Sequence, residues 1–170
     1  METLVFSGGG SRGFALLGAI KAIEEKNLKS DIKYTFGTSI GSLFGLLFTL
    51  YNYQEIYSKV YSFSYENYQS IDIINFFNNY GLDNFSKIKK FITSVLSDSN
   101  ISPDITFQEH FDKTGIVLII DAVCLNTQSG TYFHYLAFPD MPIITAIEAS
   151  MSLPFIFPGT AIIIMISNTL

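Results

Sequence analysis

Cysteine is almost absent: Cys124 is the only one in 170 residues, which excludes an internal disulfide framework and suits a reducing compartment. Arginine is as scarce, a single Arg12 against nine lysines. Charged residues amount to only 15% while 48% are hydrophobic, a balance that excludes a disordered tail. The net charge of −5 removes the basic surface that a nucleic-acid partner requires. No apolar run reaches the ~18 residues of a transmembrane helix. The longest candidate, Leu43 to Leu50, is interrupted by Gly45 and Thr49. Met1-Glu2-Thr3 lacks the basic start of a signal peptide. The expectation is one compact cytoplasmic domain over residues 1–170, large enough to bury roughly two-thirds of its unfolded surface.

What is abundant calls for a discount. Isoleucine (23), phenylalanine (16), asparagine (10) and tyrosine (10) are the residues that codons rich in A and T produce. The cluster Tyr51, Tyr53, Tyr57, Tyr61, Phe63, Tyr65 and Tyr68 is therefore read first as packing, with an acyl-binding or membrane-touching face as the alternative.

The chain opens as strand, glycine loop, helix, strand, sharp turn, helix. Leu4 to Phe6 reads as a strand ended by Gly8-Gly9-Gly10. Leu16, Leu17, Ile20 and Ile23 give helical periodicity over Phe14 to Lys26. Ile32 to Phe36 is a second strand, and a helix follows from about Ser42 to Tyr51. Strand, helix and strand at this spacing form a βαβ unit, so the class is α/β with a mainly parallel central sheet. Residues 52 to 98 look helical, and Phe85, Ile88, Phe91, Ile92, Val95 and Leu96 make one apolar face. Thr106 and Glu109 fit a capping box, with Gly115 closing that helix. Ile116 to Leu125 and Thr131 to Phe138 read as a hairpin, and Asp140 as the N-cap of a helix over Met141 to Met151.

Two glycine motifs carry chemistry. Gly37-Thr38-Ser39-Ile40-Gly41 is a G-x-S-x-G between an apolar strand and an apolar helix. A serine on such a turn has its hydroxyl pushed out at the top of the sheet, and the flanking glycines let strand and helix pack closely. Ser39 then sits at a helix N-terminus, with the Ile40 N–H as a candidate oxyanion donor. Composition alone yields this pattern in roughly one chain in twenty of this length, so the motif needs support. That support is Gly8-Gly9-Gly10-Ser11-Arg12-Gly13 after the first strand, whose backbone N–H groups can approach an anion. The same stretch fits a dinucleotide-binding G-x-G-x-x-G. That use wants an acid at the end of the second strand, and Asp31 precedes that strand. His110 and His134 lack a triad-like context, and Cys124 reads as a small buried hydrophobe.

With these residues in place the sequence resembles the patatin-like phospholipases. Gly8, Gly10, Arg12 and Gly13 match that family's oxyanion loop, and Gly37 to Gly41 its nucleophile elbow. The run Ala146-Ile147-Glu148-Ala149-Ser150-Met151-Ser152-Leu153-Pro154-Phe155-Ile156-Phe157-Pro158 is similar to its A-I-x-A-S-x-S-x-P-x-x-F-P segment. Tyr80-Gly81-Leu82 and Thr106-Phe107 also fall where the family carries similar pairs.

The resemblance implies a three-layer α/β/α fold and lipid acyl hydrolysis of the phospholipase A type by a serine–aspartate dyad. Ser39 would be the nucleophile, Gly9 and Gly10 N–H groups would hold the oxyanion, and Arg12 would brace the loop. It implies no cofactor and no metal, a glycerolipid or phospholipid substrate, and transient contact with a membrane surface. The family's base lies in an Asp-Gly-Gly or Asp-Gly-Ala after the F-P segment. None of the eight aspartates, Asp31, Asp72, Asp83, Asp98, Asp104, Asp112, Asp121 or Asp140, is followed by glycine. The expectation is a domain shortened at its C-terminus, family-like to about Pro158, with a catalytically silent lipid-binding or interaction module as the alternative.

Overall fold

The computed structural model describes residues 2–63, 85–153, 156–157 and 159–162. Tyr65, Tyr68, the Tyr80–Leu82 motif, Pro154, Phe155, Pro158 and the isoleucine-rich tail from 163 on lie outside the described residues. Four strands, β1 (Thr3–Phe6), β2 (Tyr34–Thr38), β3 (Val117–Cys124) and β4 (Ser129–Phe133), form one sheet in that spatial order. β1, β2 and β3 are parallel and β3–β4 is an antiparallel hairpin. Parallel neighbours need a crossover. The first is a 3₁₀ turn (Gly10–Ala15) leading into α1 (Leu16–Glu25). The second, from β2 to β3, carries α2 (Ile40–Leu50), α3 (Tyr53–Ser62), α4 (Ser86–Ser97) and α5 (Phe107–Thr114). After the hairpin comes α6 (Ile143–Met151).

The register explains the core. Phe6, Gly37, Ile120 and Phe133 lie side by side across the sheet and all are buried. They face α2, an apolar helix buried continuously from Ile40 to Phe48, as a helix enclosed on all sides must be. Strand alternation puts Val5, Phe36 and Ile119 on the opposite face, where Val5 is 64% exposed. The apolar stripe of α4 is buried at every expected position from Phe85 to Leu96.

Capping follows the sequence at α5, where Thr106 and Glu109 make both bonds of the box and Gly115 adopts the left-handed conformation. Asn52 and Glu55 form a second box at α3. Asp140 does not cap α6. Pro142 occupies that position without a side-chain bond, because the segment before α6 is tied to the start of α5 by a Thr106–Pro142 bridge and an Ile143 N–H bond to the Ile105 carbonyl. Likewise α1 starts at Leu16 rather than Phe14, since the glycine loop first closes a 3₁₀ turn. β4 stops at Phe133, where the His134 carbonyl accepts the Ala137 and Phe138 N–H groups and turns the chain.

Tyr51 is buried, but Tyr57 and Tyr61 are 42% and 78% exposed, so packing accounts for only part of the tyrosine cluster. Tyr53, Tyr57 and Tyr61 instead form a ladder of neighbouring rings on α3. Among the described residues no helix is long and apolar enough to cross a membrane.

Candidate active site

β2 ends at Thr38 and α2 begins at Ile40, so Ser39 alone makes the turn between them. Its backbone has φ 53° and ψ −127°, a conformation that side chains other than glycine rarely adopt. The cost is met by neighbours. The Ser39 carbonyl accepts the Ser42 N–H at 2.8 Å and the Ser42 hydroxyl at 2.6 Å. The Ser39 N–H donates to Ser150 Oγ at 2.8 Å.

The glycines of both motifs are explained by close approach. A Cβ on Gly41 would lie 2.2 Å from the Phe6 carbonyl oxygen, and one on Gly37 2.5 Å from the Ser42 α-carbon. A Cβ on Gly13 would meet the Ile40 side chain at 2.6 Å, so the 3₁₀ turn is pressed against the first residue of α2. At Gly8 the nearest atom to such a Cβ is the Ser39 Cβ itself, at 3.4 Å. The two glycine motifs therefore meet, with the loop from Gly8 to Gly10 lying beside the serine. Gly10 has φ +54°, which bends the loop there.

Ser39, Ile40, Gly9 and Gly10 open onto one cavity of about 1150 Å³. Its walls come from α2, α4, the β3–β4 hairpin and the segment that follows α6. No Asp, Glu, Lys, Arg or His lines it among the described residues. A cavity of this size and apolar character fits a long apolar group with one polar reacting end.

Arg12 is exposed, and among the described residues its guanidinium makes no hydrogen bond or ion pair; only its N–H contributes to the loop, donating to the Gly9 carbonyl at 3.1 Å. The bracing expected of its side chain is not seen. Cys124 is half-buried at the cavity wall rather than sealed in the core, and hydrogen bonding to Thr127 holds its thiol below the ordinary range. His110 is fully buried, with Nε2 2.7 Å from Thr49 Oγ1, away from the cavity lining. Asp31 lies in a 3₁₀ turn before β2, and β2 ends in Gly37-Thr38, so the acid that a dinucleotide site requires is missing there.

Sequence reading does not single out two partners of the elbow. Ser150 stands in the sequence only as a letter of the third motif, and Asp121 only as one of eight aspartates not followed by glycine. The register pairs Thr38 with Asp121, and the Thr38 hydroxyl donates to the Asp121 carboxylate at 2.6 Å. A polar residue one position after the apolar stretch of β3, level with the elbow, was the available signal. Among the described residues no three His, Cys, Asp or Glu side chains cluster as metal ligands.

The chain is similar to known proteins. The family model for patatin-like phospholipases matches residues 4–162. Over 162 residues the chain is 34% identical to "Probable lipid hydrolase 463L" of Invertebrate iridescent virus 6, a match covering 92% of this chain and 54% of that protein. It is 47% identical to "Lysophospholipase NTE1" of Kluyveromyces lactis over 62 residues, 36% of this chain and 4% of that protein. Among solved structures, the type III effector protein ExoU has a similar fold, with a TM-score of 0.59 at 17% identity over 90% of this chain and 39% of that one. The chain thus spans about half the length of the viral relative it matches. The glycine loop, the serine turn and the segment running out of α6 all fall within the matched span, and the chain belongs to the patatin-like phospholipase family.

Proposed function

We propose that the chain acts as a lipid acyl hydrolase of the phospholipase A type, with Ser39 as nucleophile. The observation that carries this reading is the strained Ser39 turn, set beside the Gly8–Gly10 loop on a cavity that no charged side chain lines among the described residues. The acyl chain of a glycerolipid would lie in the cavity with its ester carbonyl at Ser39. Ser39 Oγ would bond to the carbonyl carbon, and the carbonyl oxygen would take the charge. The N–H groups of Gly9, Gly10 and Ile40 would receive that charge, with Ile40 at the N-terminus of α2 adding the helix dipole. Collapse would expel the glycerol oxygen, and water would then release the fatty acid. Lipid degradation at a membrane surface fits this substrate.

The Ser39 proton requires a base. No described carboxylate lines the cavity, and that of Asp121 is engaged by Thr38. With the nucleophile and oxyanion donors alone, a serine hydrolase site retains about 10³- to 10⁴-fold acceleration over water. The lack of a carboxylate among the described lining residues supports a second reading, a lipid-binding module that does not turn over.

One comparison separates the two. Purified chain and its Ser39→Ala variant are assayed for fatty-acid release from phosphatidylcholine and for p-nitrophenyl butyrate hydrolysis. A rate that disappears in Ser39→Ala supports the hydrolase; equal rates remove it, and fatty-acid binding without turnover supports the binding module.

A further inference from the structure

The third sequence motif, Ala146 to Pro158, supplies neither nucleophile nor oxyanion donor, yet its two serines are placed differently. Ser152 at the end of α6 donates its hydroxyl back to the Glu148 carbonyl at 2.7 Å, a common use of serine in a helix. Ser150, one position before the last residue of the same helix, makes no such bond among the described residues. Its Oγ is turned to the elbow, where it accepts the Ser39 N–H across 111 positions of sequence.

We propose that Ser150 is a positioning residue that holds the nucleophile turn in its reactive shape, which rests on the reading of Ser39 as nucleophile. The peptide between Thr38 and Ser39 is where the chain enters a positive-φ conformation, and its N–H has left the β2 ladder without joining the α2 helix. Unless something accepts that N–H, a half-buried donor stays unpaired and the peptide plane is free to rotate. The Ser39 carbonyl is already fixed by Ser42 from within α2. Ser150 fixes the other side from outside, so both peptide groups of the turn are pinned.

The bond has a second consequence. Because the Ser39 N–H is committed to Ser150, it cannot also donate to an oxyanion, and that duty falls to Gly9, Gly10 and Ile40. The third motif then acts on the first two through a single hydroxyl. A threonine keeps the accepting oxygen at the same place on the side chain; alanine removes it.

The test uses the whole chain with Ser150→Ala, Ser150→Thr and, as a neighbour that does not touch the elbow, Ser152→Ala. Two readouts are taken: amide hydrogen exchange and ¹⁵N shift at Ser39, and the rate at which a fluorophosphonate labels Ser39. Thermal unfolding shows which variants are folded, with Ser150→Thr carrying the test where Ser150→Ala is not. Ser150→Ala is expected to accelerate Ser39 amide exchange and to slow labelling about 10- to 100-fold, the scale of a small misplacement of a reacting atom. Ser150→Thr is expected to restore both, and Ser152→Ala to leave both unchanged. Wild-type amide exchange and shift in Ser150→Ala would overturn the proposal, as would equal effects from Ser152→Ala or a Ser150→Thr that behaves as alanine does. If wild type and Ser39→Ala fail alike to react with the probe, the nucleophile reading falls, and the Ser39 amide still reports whether Ser150 holds the turn.

Discussion

The α-carbon of Gly41 faces the backbone carbonyl of Phe6 so closely that a single added methyl group would stand 2.2 Å from the oxygen. This contact joins the start of α2 to the end of β1, and it sets how near the elbow comes to the glycine loop. Gly41→Ala must push backbone against backbone, and it is expected to cost about 3 kcal/mol of folding stability. Gly18, in α1, has nothing within 4 Å of its would-be Cβ. There alanine is expected to add about 0.5–1 kcal/mol through helix propensity. Urea unfolding of the two variants checks both signs.

Acid should weaken the fold through His110. Thr49 Oγ1 donates to the Leu46 carbonyl, so it accepts the proton of His110 Nε2 and leaves Nδ1 bare and buried, without a partner among the described residues. Burial pushes the imidazole down from 6.5 to about 4. Between those values the unfolded chain binds a proton that the folded chain does not, so this contribution is complete above pH 6.5 and is lost as pH falls toward 4. The loss approaches about 3 kcal/mol. Unfolding measured from pH 7 to pH 4 should show this slope in wild type and lack it in His110→Phe.

Asp121 is the carboxylate nearest in register to the elbow, and its bond to Thr38 is structural. Thr38→Val leaves that carboxylate without its donor and is expected to cost about 1.5 kcal/mol. Asp121→Asn retains an acceptor oxygen and should cost less. Any hydrolysis that depends on Ser39 should persist in Asp121→Asn; its loss would make Asp121 the base.

Cys124 combines a thiol held below its ordinary range with a position on the cavity wall. Its alkylation by iodoacetamide should therefore become half-maximal at a lower pH than that of free cysteine. A saturating long-chain fatty acid should slow the reaction by filling the cavity. Mass spectrometry of the Cys124 peptide reads both effects, and protection by a short-chain acid of equal charge would count against an acyl cavity.

The elements were legible wherever the signal was local. The Thr106–Glu109 box and the buried stripe of α4 depend on residues three or four apart, and they appear where the periodicity puts them. The elbow and the glycine loop were legible because close backbone approach permits only glycine, and that demand is written in single letters. Their supports were not. Nothing near Ser150 in sequence says that its hydroxyl meets Ser39, and nothing near Asp121 announces Thr38, because both contacts arise from sheet register and helix docking. Asp140 failed as a cap for the same kind of reason, since a bridge to Thr106 decides where α6 begins. Arg12 stands out by rarity, and among the described residues rarity places no partner beside its guanidinium.

The hydrogen bonds around the elbow also bear on the order in which the molecule assembles. β1, α1 and β2 need only the first 38 residues to pair, whereas the Thr38–Asp121 and Ser39–Ser150 bonds close loops of 83 and 111 residues. Contacts of such separation form late, because the closure entropy must be met first. A growing chain would present its serine turn well before the residues that lock it have been made. The turn therefore stays unarmed until α6 docks, and pulsed hydrogen exchange during refolding should find the Ser39 amide protected after those of β1 and β2.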